Sequence, residues 1–167
     1  MTDPKNALPS YSFHRVTDLT PEKISSMGVK ALALDIDNTL TKDGAFHVPS
    51  AVKAWTRHMA AAGVGLVIVT NTYRFRARII AKKLGVPVVA RAHKPSAWGL
   101  RKAADLLGLE VKDLAMVGDR LFTDMRCANA AGAVGVKLDP IAPEILFPLY
   151  NRKQREAEEK YLARYAV

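Results

Sequence analysis

At 167 residues, with 49% hydrophobic and 25% charged side chains, the chain can build one domain with a full core and is short for two. A formal net charge of +9 points to anionic partners, among them phosphate esters, nucleic acid or an acidic lipid surface, and a single cysteine, Cys127, excludes an internal disulfide and fits a reducing cytosol. No apolar run nears the roughly 18 residues that span a bilayer, and the start MTDPKNALPSYSFHRV lacks a secretory pattern, so a cytoplasmic protein is expected.

Residues 1–19 read as an extended, proline-punctuated lead-in whose Leu8, Tyr11, Phe13 and Val16 can pack on the domain. Thr20 before Pro21 predicts an N-cap and first helical position, and Gly28 a stop. Apolar runs of strand length then alternate with helical segments. The order is VKALAL (29–34), a helix at about 49–62, GLVIVT (65–70), a helix at about 74–84 and VPVVA (86–90). A helix at about 95–107, LAMVG (114–118), a helix at about 122–131 and AVGVKL (133–138) follow. Strands apolar on nearly every residue are buried on both faces, which alternating helices achieve by covering a parallel sheet. The expected fold class is α/β, a doubly wound parallel sheet flanked by helices, in one domain over 1–167 with its core at about 29–139. PIAPEILFP breaks the pattern, and a charged helix at about 150–165 ends it. Trp55, Trp98 and Cys127 fall in predicted helices and read as core.

Ligands of open parallel sheets bind beyond the carboxyl ends of the strands. There the chain places Asp35 and Asp37 after the first strand, Thr70 and Asn71 after the second, His93 and Lys94 after the third, and Asp119 and Asp124 after the fourth. Singly, each has an ordinary reading as a turn or cap residue. Together, four carboxylates at one edge repel by about 1 to 4 kcal/mol per pair near 4 Å, so positive charge belongs among them. Lys94 supplies one charge. A hard divalent cation on oxygen ligands supplies the rest, and Mg²⁺ suits a sparse site that shares a substrate phosphate. A carboxylate beside such a cation can attack phosphorus to form an aspartyl-phosphate while a second acid protonates the leaving oxygen and later activates water. For that second task Asp37 needs acidic neighbours that raise its proton affinity.

The runs DIDNTL (35–40), TN (70–71), KP (94–95) and GDRLFTD (118–124), in this order and each after a strand, resemble the four motifs of the haloacid dehalogenase phosphatase superfamily over roughly residues 29–139. The DIDNTL and GDRLFTD forms and the short length are similar to the YqeG-like branch of subfamily IIIA, which includes phosphatidylglycerophosphate phosphatases. The resemblance implies Asp35 as nucleophile and metal ligand, Asp37 as general acid/base that also lends its backbone carbonyl to the metal, and Lys94 as charge neutraliser. It further implies phosphate contacts from Thr70 and the Asn71 backbone, Asp119 as metal ligand and Asp124 in support of the metal shell. The expected substrate is phosphatidylglycerophosphate, with a soluble sugar or nucleotide phosphate as the alternative. A nucleic-acid-binding protein would leave the carboxylates without purpose, and the chain lacks clustered stacking aromatics.

Intervals between motifs leave room for one loop and one helix each, so no large cap and an open site are expected, with Phe46, His47, Val48 and Pro49 as rim candidates. In YNRKQREAEEKYLARYAV, Arg152, Lys153, Arg155, Lys160 and Arg164 alternate with Tyr150, Tyr161 and Tyr165. Two readings stand open: a solvated helix with one face on the domain, or a peripheral contact with an anionic membrane.

Overall fold

The computed structural model describes Asp3 and residues 5–166; residues 1, 2 and 4 of the predicted lead-in and Val167 lie outside the described residues. Six strands form one parallel sheet: β1 (Tyr11–Phe13), β2 (Ala31–Leu34), β3 (Gly65–Val69), β4 (Val88–Val89), β5 (Leu114–Gly118) and β6 (Val134–Leu138), in the order β1-β6-β5-β2-β3-β4. The helices are α1 (Pro21–Ser26), α2 (Ser50–Ala61), α3 (Arg74–Leu84), α4 (Trp98–Leu107), α5 (Arg126–Ala131) and α6 (Pro148–Tyr165). The doubly wound α/β expectation holds, and only α2 and its loops lie between β2 and β3, where a large cap would be inserted.

Period-two alternation explains why both faces of the sheet are dry. Leu32, Leu34, Ile68 and Val117 join Met59, Ile80 and Trp55 on one face, while Ala33, Val67, Val69 and Met116 meet Leu100 and Ala103 on the other. Burying each large aliphatic chain contributes about 1.5–3 kcal/mol. β2 lies between β3 and β5 in register, with Leu34 opposite both Ile68 and Val117. Their carboxyl ends therefore finish level, at one edge.

The α1 signal is realised: the Thr20 hydroxyl accepts from the Lys23 amide at 3.3 Å, Pro21 opens the helix, and Gly28 takes φ +73°. Three expectations need correction. The lead-in contains a strand, β1, that extends the sheet beside β6 with Tyr11 opposite Val136. The helix expected at about 95–107 begins at Trp98, whose side chain is 43% exposed because Gly99, Leu100, Ala103 and Ala104 form the inward face. The helix expected at about 122–131 opens instead with a wide π-type turn, Leu121–Met125, before α5.

Candidate active site

Beyond β2 the ladder continues one step, the Asp35 amide donating to the Val117 carbonyl at 3.0 Å. That bond holds Asp35 against β5. Ile36 and Leu40 enter the core, and Asn38, a residue tolerant of left-handed backbone, turns the chain at φ +55°. The Asn38 side chain accepts from the Ala142 amide at 3.1 Å, and Asp37 accepts from the Gly44 amide at 2.9 Å. DIDN is thus a fixed turn with an acid on each side of a buried isoleucine.

Lys94 is buried at the centre, its Nζ 2.9 Å from Asp35 and 2.7 Å from Asp124. Asn71 sets the height of that lysine. Its side-chain amide donates to the Lys94 carbonyl at 3.0 Å, and its oxygen accepts from the Lys94 amide at 2.8 Å. Thr70 is buried, with its hydroxyl accepting from the Thr72 amide at 3.1 Å. After β5, Asp124 folds back so closely that a Cβ on Gly118 would lie 2.2 Å from its carboxylate, and the same carboxylate accepts from the Arg120 amide at 3.1 Å. Glycine is required there by contact, not by φ.

Burial pushes the Asp35 carboxyl up to about 7; Lys94 opposes that rise, while Asp124, Asp37 and Asp119 add to it. Burial likewise lifts Asp119 to about 6, with Arg155 opposing and Asp124 reinforcing. Burial alone would lower Lys94, but Asp124 and Asp35 outweigh it and hold the ammonium charged. The acids outnumber the cation they share. Asp35, Asp119 and Asp124 each offer a carboxylate oxygen, and these three atoms lie within 4.8 Å of one another. Three hard oxygen donors in excess of positive charge fit a divalent cation.

The motifs expected to converge do so, but the sequence reading missed the residues that hold them. Arg76 of α3 is buried and forks onto Asp37, with Nη2 at 2.8 Å from Oδ1 and Nη1 at 3.0 Å from Oδ2; it also donates to the Ala45 carbonyl at 3.0 Å. The charged partner of Asp37 is therefore an arginine, whereas the acid role called for acidic neighbours. Arg155 of α6 donates to the Asp119 carboxylate and to Glu144, and at 2.9 Å to the Asp119 carbonyl. Glu158, also of α6, is buried and accepts from the Leu121 and Phe122 amides at 3.0 and 3.3 Å, satisfying the start of the π-type turn. Arg155 thus faces the site, its side chain 18% exposed. Helical phase marks Arg76 with Ile80, and Arg155 with Glu158, as members of inward faces.

A pocket of about 620 Å³ opens beside this edge, lined on its polar side by Asp37, Asn71, Arg76 and Arg91 and on its apolar side by Tyr73, Ile145 and Leu146. Of the rim candidates, Phe46 is exposed, but Val48 belongs to the core, and none of the four lines the pocket.

The model of the family described as Mitochondrial PGP phosphatase matches residues 1–141. The chain belongs to this family. Among relatives of this PGP phosphatase family member, the "Probable phosphatase YqeG" of Bacillus subtilis is 28% identical over 156 residues, covering 93% of this chain and 90% of its own. "Phosphatidylglycerophosphate phosphatase 1, chloroplastic" of Chlamydomonas reinhardtii is 27% identical over 168 residues, and the alignment covers 95% of this chain but 62% of that protein. Two solved structures share the fold. An uncharacterized protein from Corynebacterium glutamicum superposes with a TM-score of 0.53 at 24% identity, over 80% of this chain and 96% of that one. The cobalt-bound deoxy-D-mannose-octulosonate 8-phosphate phosphatase from Haemophilus influenzae superposes with a TM-score of 0.52 at 15% identity, over 82% of this chain and 89% of that one. The family member is a phosphatase of haloacid dehalogenase type.

Proposed function

We propose that this phosphatase is a Mg²⁺-dependent phosphomonoesterase that converts phosphatidylglycerophosphate to phosphatidylglycerol through an aspartyl-phosphate on Asp35. The observation that carries the chemistry is the buried cluster of Asp35, Asp119 and Asp124 around Lys94 at the strand ends. Asp35, Asp119 and Asp124 would hold the cation through their carboxylates, joined by the Asp37 backbone carbonyl, because the Asp37 carboxylate is taken by Arg76. When bound, the cation supplies charge that stabilises the oxygens of the transferring phosphoryl group.

Asp35 attacks phosphorus, forming an O–P bond as the ester P–O bond breaks, and the leaving oxygen takes a proton from Asp37, a role carried by the resemblance and not by its arginine partner. A water then gives its proton to Asp37 and attacks the same phosphorus, releasing phosphate and freeing Asp35. Arg76 and Thr72 hold the Asp37 carboxylate towards the pocket through both steps, at 2.8 and 3.4 Å. Lys94 balances the charge gathered at Asp35, and the Thr70 hydroxyl and Asn71 backbone contact the phosphate.

The lipid assignment is supported by the pocket's two sides, charged by Arg76 and Arg91 and apolar at Ile145 and Leu146, which fit a phosphate on an apolar carrier. It is supported also by the relative from Chlamydomonas reinhardtii, whose name gives that activity. The test measures phosphate released from phosphatidylglycerophosphate in detergent micelles against a sugar phosphate and a nucleotide, for the wild type and Asp35→Asn. Preference for the lipid, lost in Asp35→Asn with the fold retained, is expected. Faster turnover of a soluble phosphate would overturn the lipid substrate, and undiminished turnover in Asp35→Asn would overturn the mechanism.

A further inference from the structure

Three segments meet at the mouth of the pocket. They are the loop after DIDNTL, the start of α3 and the stretch EILFPLY (144–150): Asp43 of the loop accepts from the Ile145 and Leu146 amides at 3.2 and 3.1 Å, and Arg76 of α3 donates to the Ala45 carbonyl of the same loop at 3.0 Å. Asn151 adds a bond to the Leu146 carbonyl at 2.6 Å, and Leu146 lies against Gly44. The backbone here is pinned, yet its side chains point outward: Ile145 is 73% exposed, Phe147 78%, Leu149 69% and Tyr150 63%. Phe75, at 67% exposure, sits edge-on to Phe46 with ring centroids 6.4 Å apart. Such a concentration of large apolar groups marks an interaction surface, whereas scattered exposed leucines would not.

The charge around this crown selects its partner. Arg74 lies between Tyr73 and Phe75 in the chain, Arg91 lines the pocket, and Lys42 and Lys153 flank the two loops; all four are exposed. The acids beside them are occupied, Asp43 by the two amides and Glu144 by Arg155 and Arg120. On a chain of net charge +9, an apolar crown with basic flanks matches the two layers of an anionic membrane surface, acyl boundary and headgroups.

We propose that the crown formed by Phe46, Phe75, Ile145, Phe147, Leu149 and Tyr150 is a docking surface for an anionic lipid bilayer. The inference rests on the phosphatase reading of the adjacent pocket and adds the face by which the protein meets a membrane. Docking there sets the pocket mouth at the level of the phosphates, with the apolar side chains of Phe147 and Leu149 among the acyl chains. It places membrane contact on the loop before α6, the first turn of α6 and the turns around them, not on the arginine and glutamate face of that helix.

The test is flotation of the full chain with vesicles of equal parts phosphatidylglycerol and phosphatidylcholine, or of phosphatidylcholine alone, without substrate. The wild type is expected to float with the anionic vesicles and far less with the neutral ones. Phe147→Ser with Leu149→Ser should reduce that binding by about tenfold or more. Hydrolysis of p-nitrophenyl phosphate by this double variant should stay unchanged, because neither residue lines the pocket. Flotation of the variant equal to wild type, no flotation of the wild type, or equal flotation with neutral vesicles would overturn the proposal. So would size-exclusion showing a wild-type dimer that the variant separates, since the crown would then bind a second copy. If flotation behaves as expected but the wild type hydrolyses neither p-nitrophenyl phosphate nor phosphatidylglycerophosphate, the docking surface stands and the phosphatase assignment of the pocket fails.

Discussion

The strand-end edge and the C-terminal segment both carry dense charge, but the two regions are held together by different kinds of information. At the edge, Asp35, Lys94, Asp119 and Asp124 come together because β2, β4 and β5 run parallel and stop at one level. In the C-terminal segment, helical phase sets Arg155 and Glu158 on one face, but no local pattern names the distant residues they hold, while Arg152 on the same helix is 70% exposed and reaches Glu156 at 3.7 Å. Charge in a sequence therefore carries different weight according to which way its backbone turns it.

The greatest strain on this comparison comes from Lys94→Met. Removing the buried ammonium leaves Asp35 and Asp124 without their shared partner, so a loss of about 3–5 kcal/mol is expected. Thermal melting would show it, and phosphate release should vanish as well. A variant that melts like wild type would mean that the carboxylates are not held by this lysine.

Metal removal comes next. Chelator should stop phosphate release, and Mg²⁺ at about a hundredfold over its dissociation constant should stabilise the folded protein by about 2.7 kcal/mol. Asp119→Asn should blunt that stabilisation, a result readable by calorimetry without any turnover. Full activity in excess chelator would remove the cation from the mechanism.

Within α6 the contrast can be drawn more finely. Arg155→Met should cost about 1–3 kcal/mol through lost charged hydrogen bonds to Asp119 and Glu144, whereas Arg152→Gln should stay within about 0.5 kcal/mol of wild type. Equal effects in denaturant titrations would erase the distinction between the two faces. The smallest expected effect concerns Cys127, buried in α5 with its thiol pushed up to about 11 by burial, Lys94 opposing and Asp124 reinforcing. Alkylation needs the thiolate, so at pH 8 the folded protein should resist a thiol reagent that labels it promptly once unfolded.

Much of this molecule is legible before folding. The alternation of apolar runs and helical segments places β2 to β6 to within two residues at each end, since buried parallel strands must be continuously apolar. The acids were legible for the same reason. What escaped was set by rotation and distance. Whether Arg74, Arg76 or Arg78 turns inward depends on the phase of α3, and only Arg76 shares the face of Ile80. Trp98 read as core from its place in a predicted helix, but it begins α4 one position out of step with Gly99 and Leu100. Glu158 caps the amides of Leu121 and Phe122 from a helix that the sequence pattern leaves free to point anywhere.

That last contact bears on how the protein is made. Glu158 and Arg155 are translated after every motif residue, and Tyr161, whose hydroxyl accepts from the Ala7 amide at 3.0 Å, later still. A chain still emerging from the ribosome can pair its strands, yet the turn bearing Asp124 has no glutamate over its open amides, and Asp119 no arginine. The setting of those residues thereby waits until α6 has been made, and a nascent chain stalled before it would carry all four motifs without the clasp.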